Sequence, residues 1–392
     1  MINRSYTFVL ILFITLALIA ACNTETADDA SGRTFRVSDI KPALFSDDHN
    51  SEGFLVQKSD GKLMLIFRRD PGSEGHHIGT NGYIAKITYD PDSDTWGEVE
   101  TIYNSHRYDD RNIHGGITRD GRIVIFFRHM DIIDGNHITE GRYFLYSDDD
   151  GETWNGPLTS ESWSAPELPD PQFGVWGTSQ MFYNEDINRY AILGYGNQSI
   201  YITYSEDGSV WDELSFVKED DEKDLTEIAG AWTGDNKMIA LIRDNRVEAN
   251  HQLLQIESHD NGKSWSEPEY SNIPPDHWAA APQLIYDEKR DLLIALTSDR
   301  YSRDHSENSI FIFSARPEEV YGQAGNWKFE HELKRPWARG TDSRPLNQSF
   351  YGYPTIAPIN DHEYLVVFTE RATIDGSEQA DLYYFRIIFE DN

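Results

Sequence analysis

Arginine recurs in this chain just where apolar strands run out. Arg68 and Arg69 follow Phe67, Arg128 follows Phe127, Arg243 follows Ile242, Arg300 follows Asp299 and Arg371 follows Glu370. A guanidinium fork grips a carboxylate or sulfate through two parallel hydrogen bonds. Arginines gathered at one place would therefore hold an anionic ligand. The competing reading is local pairing, because Arg69 adjoins Asp70, Arg243 adjoins Asp244, Arg300 adjoins Asp299 and Arg371 adjoins Glu370. Four histidines, His76, His77, His114 and His129, lie among the first of these arginines, and imidazole is the side chain best suited to moving protons near neutral pH. Either chemistry requires a scaffold that makes distant residues converge.

The scaffold is written in a repeat. Ser147-Asp148-Asp149-Asp150-Gly151-Glu152-Thr153-Trp154 and Ser258-His259-Asp260-Asn261-Gly262-Lys263-Ser264-Trp265 share one pattern. Ser205 to Trp211 is one residue shorter, and Asp90 to Trp96 is a degenerate copy. Their tryptophans stand at 96, 154, 211 and 265, in steps of 58, 57 and 54, and such a period marks repeated supersecondary units. Within each unit Asp or Asn bonds the local backbone, Gly takes a positive φ, and Trp packs back on the core. The motif resembles the Asp box of the sialidase-like β-propellers. That resemblance implies an all-β chain folded as one propeller, and the recurring strands count to six blades, or seven if two have been merged. Phe54–Gln57, Lys62–Phe67, Tyr83–Thr88 and Val99–Tyr103 make the first blade, and the last lacks a fourth strand. Phe35-Arg36-Val37-Ser38 is expected to fill that gap. In a propeller the residues leaving each second strand ring one end of the channel, opposite the Asp-box turns. Here they are Arg68 and Arg69, Arg128, Tyr195, Arg243, Arg300 and Arg371.

The whole chain has 392 residues and a formal charge of −33, which argues against nucleic acid and anionic membrane surfaces as partners. Its 21 Tyr and 10 Trp suit a groove for sugars. Residues 1–21 read as a signal peptide: Arg4 is followed by an apolar run too short to span a membrane comfortably. The run ends Leu18-Ile19-Ala20-Ala21-Cys22, which resembles a bacterial lipoprotein signal with Cys22 as the lipidated residue. Cys22 is the only cysteine, so no disulfide, Cys nucleophile or Cys–zinc site is expected. Residues 22–33 form a tether, and 34–392 the catalytic propeller. An exported lipoprotein of the cell envelope is expected, monomeric and touching membrane only through its lipid. No phosphate-binding glycine loop, zinc spacing or EF-hand pattern occurs. No organic cofactor is expected, and an acidic loop leaves room for structural calcium.

Within the sialidase resemblance, Glu227 and Arg243 match a glutamate and a carboxylate-binding arginine one inner hairpin apart, and Arg300 matches the next arginine. Tyr353, in Phe350-Tyr351-Gly352-Tyr353-Pro354, stands where those enzymes carry a tyrosine nucleophile, with Tyr351 as the competing alignment. A phenol serves where a carboxylate nucleophile would be repelled by an acidic sugar, and it needs a base beside it, here Glu227. The chain also departs from the pattern. Ser51 stands where the first arginine is expected, and the loop that should supply the acid/base aspartate offers Asp70 followed by His76 and His77. Polysaccharide lyases on related propellers imply a rival in which Arg243 neutralises a uronate and His77 or His114, with Tyr353, moves the C5 proton. Asp110, Arg111 and Trp176 precede inner strands and also point to the mouth, Trp176 as a stacking platform. The expected activity is an exo-glycosidase acting on a terminal acidic sugar. Elimination is the alternative, and a glycan-binding propeller without catalysis is the third class.

Overall fold

The central strands of each repeat are apolar without alternation. Leu63–Asp70 and Ser199–Ser205 are buried along almost their whole length. Such runs suit strands covered on both faces, as when sheets stack radially against one another. The computed structural model describes residues 34–71, 77, 79–164, 179–196, 199–220, 222–246, 252–274, 279–299, 309–334, 350–374 and 377–390, with only the backbone for 350, 351, 371–374, 377 and 378. Cys22, His76, Trp176 and Arg300, and the side chain of Arg371, lie outside the described residues.

The described strands pair into five sheets, four of four strands and one of ten in which the last blade joins the first. Blade one has His49–Gln57, Leu63–Asp70 and Tyr83–Asp90, with Thr95–Trp96 and Glu100–Tyr103 at its outer edge. Blade two has Asp109–Ile117, Ile123–Ile133, Asn136–Ser147 and Asn155–Leu158. Blade three has Phe182–Asn184, Arg189–Gly196, Ser199–Ser205 and Glu213–Glu219. Blade four has Leu225–Gly234, Lys237–Asp244, Leu254–Ser258 and Glu269–Tyr270. Blade five has Ala279–Asp287, Leu292–Asp299, Ser309–Ala315 and Lys328–Lys334. Blade six has Phe350–Asn360, Glu363–Ile374 and Ser377–Phe389.

The missing outer strand of blade six comes from the start of the domain. Phe35 pairs with Phe389, Arg36 with Ile388 and Val37 with Ile387, and Lys41–Leu44 continues along the same edge. The last blade is thus completed by strands from the start of the domain, which leaves only the short outer edge that propeller blades present. A single parallel pair, Ala380 with His49, joins blades six and one. Blade one's inner strand begins at His49, five residues before the apolar run at Phe54, because a polar stretch pairs as well.

The Asp boxes are stitched alike. Gly151 and Gly262 donate N–H to Ser147 and Ser258 Oγ at 2.9 and 2.8 Å. Asp149 and Asp260 each accept from the backbone of the next Thr or Ser at 2.8 Å and from its hydroxyl at 2.6 Å. The Thr153 hydroxyl and backbone bonds hold the Asp149 carboxyl down at about 2. Trp265 and Trp211 donate Nε1–H back to Gly262 and Gly208. Between blades, apolar side chains interlock: Leu55, Leu65 and Phe67 of blade one meet Val367, Leu382 and Tyr384 of blade six.

Candidate active site at the channel mouth

Five inner strands lose register at the same level. The shifts fall between Ser51 and Gly53, Arg111 and His114, Thr226 and Ile228, Ala280 and Gln283, and Gly352 and Thr355. The residues set into them include Glu52, Asn112, Glu227, Ala281 and Tyr353. Four take a left-handed backbone: Glu52 at φ 51°, Asn112 at 56°, Ala281 at 48° and Tyr353 at 50°. Each such non-glycine residue costs about 1–3 kcal/mol and persists only where its surroundings hold it. A bulge re-aims a side chain out of the pleat, and here the bulged residues reach neighbouring blades.

Glu52 of blade one accepts from Arg111 Nη2 at 2.5 Å and from the Asn112 backbone N–H at 2.7 Å, both on blade two. Glu227 of blade four accepts from the Ala281 N–H of blade five at 2.7 Å and from Arg243 Nη1 at 3.0 Å. The Tyr353 hydroxyl of blade six lies 3.3 Å from His77 Nε2, in the loop of blade one. Arg111 Nη1 donates to the His77 carbonyl at 3.1 Å, which fixes that residue's backbone against blade two. The His49 ring packs on the other side, 5.4 Å from His77 between centroids. Tyr195 lies among these groups. Burial first, then the Glu227 charge, raises its phenol's pKa, while Arg128 acts against them and Tyr353 and Glu52 add to the rise. The predicted tyrosine, glutamate, histidine and arginines therefore converge on one mouth.

The described arginines of the expected ring, Arg68, Arg69, Arg128 and Arg243, lie toward the ends of their second strands but pair differently from the expectation. Arg68, fully buried, donates Nε and Nη2 to the two oxygens of Asp109 at 2.7 and 2.9 Å, and Nη2 to Asp70 at 2.9 Å. Arg69 turns to Asp48 at 2.7 Å, not to Asp70. Arg243 pairs with Glu227, while Asp244 takes Arg246 at 2.7 Å. Arg128 donates to Asn112 Oδ1 at 2.7 Å and Thr139 Oγ1 at 2.8 Å. Burial and the nearby Arg111 charge push the Arg128 guanidinium down to about 9. An anion beside it would relieve that penalty.

Two expected catalytic groups stand elsewhere. Asp70 is buried on Arg68, held as a structural counter-ion and not presented as an acid to substrate. His114 is a core residue: it stacks on Phe126 and its Nδ1 pairs with the Asn112 carbonyl at 2.8 Å. His129 likewise faces away from Tyr353, packed by Tyr103, Tyr108 and Tyr143 and 3.3 Å from Asp110. Arg111 is a site residue, but its fork is turned to Glu52 and His77. Sequence reasoning missed Glu52, and it placed Asp109 and Asn112 at the mouth, beside Asp110 and Arg111, without giving them a role. The available signal was a polar residue set before Gly or Pro in an inner strand, as in Glu52-Gly53 and Tyr353-Pro354. Among the described residues no group of three or more His, Cys, Asp and Glu is arranged to hold a metal ion.

His114 makes stability depend on pH. Burial pushes its pKa down to about 4 from about 6.5, so the unfolded chain binds more protons between those values. Stability is therefore complete above about 6.5 and falls as the pH drops toward 4. His129, also pushed by burial to about 4, acts the same way, but Asp110, raised by burial to about 7, acts oppositely and offsets it. Urea unfolding at neutral pH and at pH 5 should show a loss of about 1–2 kcal/mol that is absent from His114→Gln. An equal loss in that variant would remove His114 as the cause.

Residues 83–280 match the BNR repeat-like domain. The chain belongs to the BNR repeat-like family. No curated protein sequence matches it. Among solved structures, this BNR repeat-like chain resembles a protein of unknown function from Dyadobacter fermentans, with a TM-score of 0.72 and 17% identity over 91% of this chain and 99% of that one. It resembles the NanB sialidase of Streptococcus pneumoniae at a TM-score of 0.63 and 11% identity, over 90% and 70% of the two chains. It also resembles the intramolecular trans-sialidase of Ruminococcus gnavus at 0.60 and 11%, over 91% and 99%. At such identities the likeness is one of fold, a sialidase-like propeller.

Proposed function

We propose that this BNR repeat-like protein cleaves a terminal acidic sugar from a saccharide, with Tyr353 as nucleophile and His77 as its proton partner. The observation that carries this reading is the 3.3 Å approach of the Tyr353 hydroxyl to His77 Nε2 beside the arginine-lined mouth. A phenol with an ordinary pKa of about 10 is a weak nucleophile until a base takes its proton. His77 Nε2 takes that proton while Tyr353 Oη bonds to the anomeric carbon. The glycosidic bond breaks, and its oxygen is protonated from solvent. Water then displaces Oη, His77 returns its proton to the phenol, and the water's proton goes back to solvent. Arg128 and Arg243 hold the sugar's anion, and Glu227 keeps the Arg243 fork oriented. Lipid on Cys22 would hold the propeller at the cell envelope, as the apolar segment ending at that residue suggests.

β-Elimination is the second reading, and the burial of Asp70 on Arg68 favours it. With that carboxylate occupied, Tyr353 and His77 could take a uronate's C5 proton and return it to the departing oxygen at C4. Incubation of the full chain with sialosides, uronate oligosaccharides and sulfated forms, followed by mass and ultraviolet absorbance together, separates the readings. Products that gain water without absorbance are expected. Absorbance of a conjugated enol-uronate would replace hydrolysis by elimination, and no product from any substrate would overturn both.

A further inference from the structure

We propose that the end of the channel opposite Tyr353 is a second saccharide site, one that takes uncharged sugar residues. The inner strands run from the mouth to the far face, where they surround a cavity of about 830 Å³. That volume falls within the ~300–1,000 Å³ usual for small-molecule sites. Gln180 separates it from the mouth. From blade three its Nε2 crosses to blade six, donating to Thr355 Oγ1 at 2.9 Å and to the Ile356 carbonyl at 2.8 Å. Tyr353 lies on the mouth side of that crossing, and Ile356 to Pro358 line the cavity.

Three consecutive blades end their inner strands in the cavity with an aromatic ring: Tyr183, Trp232 and Tyr286. Each is half-buried, packed on one side against an interblade core. Their polar atoms are tied locally. Trp232 Nε1 donates to Asp186 at 3.1 Å, and the Tyr286 hydroxyl donates to Asp291 at 2.8 Å. Those bonds fix the Trp232 and Tyr286 rings and leave apolar faces to the cavity, whereas the Tyr183 ring is covered by the Arg119 guanidinium, 4.0 Å from its centroid. Such faces attract the weakly positive C–H groups of a pyranose, as they attract the positive edge of another ring. Rigid rings also cost little entropy on binding.

The charge of this end selects for neutral sugar. Asp120, Glu185 and Glu288 line it against Lys58 and Arg119, and Arg119 is already paired with Glu185. An anionic residue would meet excess carboxylate there, the reverse of the arginine-lined mouth. The channel thus has two chemically different ends, and this assignment does not depend on what Tyr353 does.

Isothermal titration of the full chain with cellohexaose, xylohexaose, mannohexaose and laminarihexaose tests it. Binding of at least one is expected, weakened about tenfold by Trp232→Ala and by Tyr286→Ala. If Trp232→Ala fails to fold by circular dichroism, Tyr286→Ala alone decides. Absence of binding to all four sugars overturns the proposal, as does affinity that survives the loss of the rings.

Discussion

Tyr353→Phe should abolish turnover and leave saccharide affinity nearly unchanged. The substitution removes one oxygen from a side chain that is already buried, so the fold loses little. That oxygen is the atom placed 3.3 Å from His77 Nε2. Losing a nucleophile or its proton partner costs about 10³-fold or more in kcat, whereas the anion is held by arginines that this change does not touch. His77→Gln should fall in the same range. The double variant should be little worse than either single one, because two groups that act as a unit are not additive. Activity measured on the substrate found in the product assay, with affinity from titration, gives both numbers. A Tyr353→Phe enzyme with full kcat would show that the reaction belongs to another residue.

Arg68→Met should be the most destabilising single change at the mouth. The fork is inaccessible to solvent and neutralises Asp109 and Asp70 together. Without it Asp109 and Asp70 both lose their buried guanidinium partner, a change that costs about 3–5 kcal/mol. Replacing the carboxylates as well, as Asp70→Asn and Asp109→Asn in the same chain, should recover much of the loss because no uncompensated charge remains. Denaturant unfolding of the single and triple variants measures this. If Arg68→Met alone unfolds like the parent chain, the buried network is not what holds blades one and two together.

The architecture was legible because its signals are local. An Asp box satisfies its own turn within eight residues, as Ser258 to Trp265 does, so the repeat could be counted and the blades laid out. Closure by Phe35–Val37 was legible from a shortage, since the last blade lacked an outer strand. Arginine positions were legible too, but their partners were not. Arg69 looked beside itself to Asp70, yet it pairs with Asp48, and Arg68 reaches Asp109 on the next blade. The Arg68 contact depends on the radial packing of blades one and two and the Arg69 contact on the pairing of blade one's first two strands, neither of which a sequence neighbour encodes. The bulges were hidden for a related reason. A one-residue register shift at Glu52 or Tyr353 leaves the apolar pattern around it intact. His114 misled because its inner-strand position turns toward the core once Asn112 and Ile113 are taken up by the shift before it.

The account's central claim is that the Tyr353 phenol bonds to the sugar. A fluorinated acidic glycosyl fluoride slows release of such an intermediate, so peptide mass spectrometry after denaturation can find it. The expected result is one added sugar on the peptide that carries Tyr353, absent from Tyr353→Phe. Stoichiometric turnover with that peptide unmodified, or with the sugar attached elsewhere, would contradict the claim.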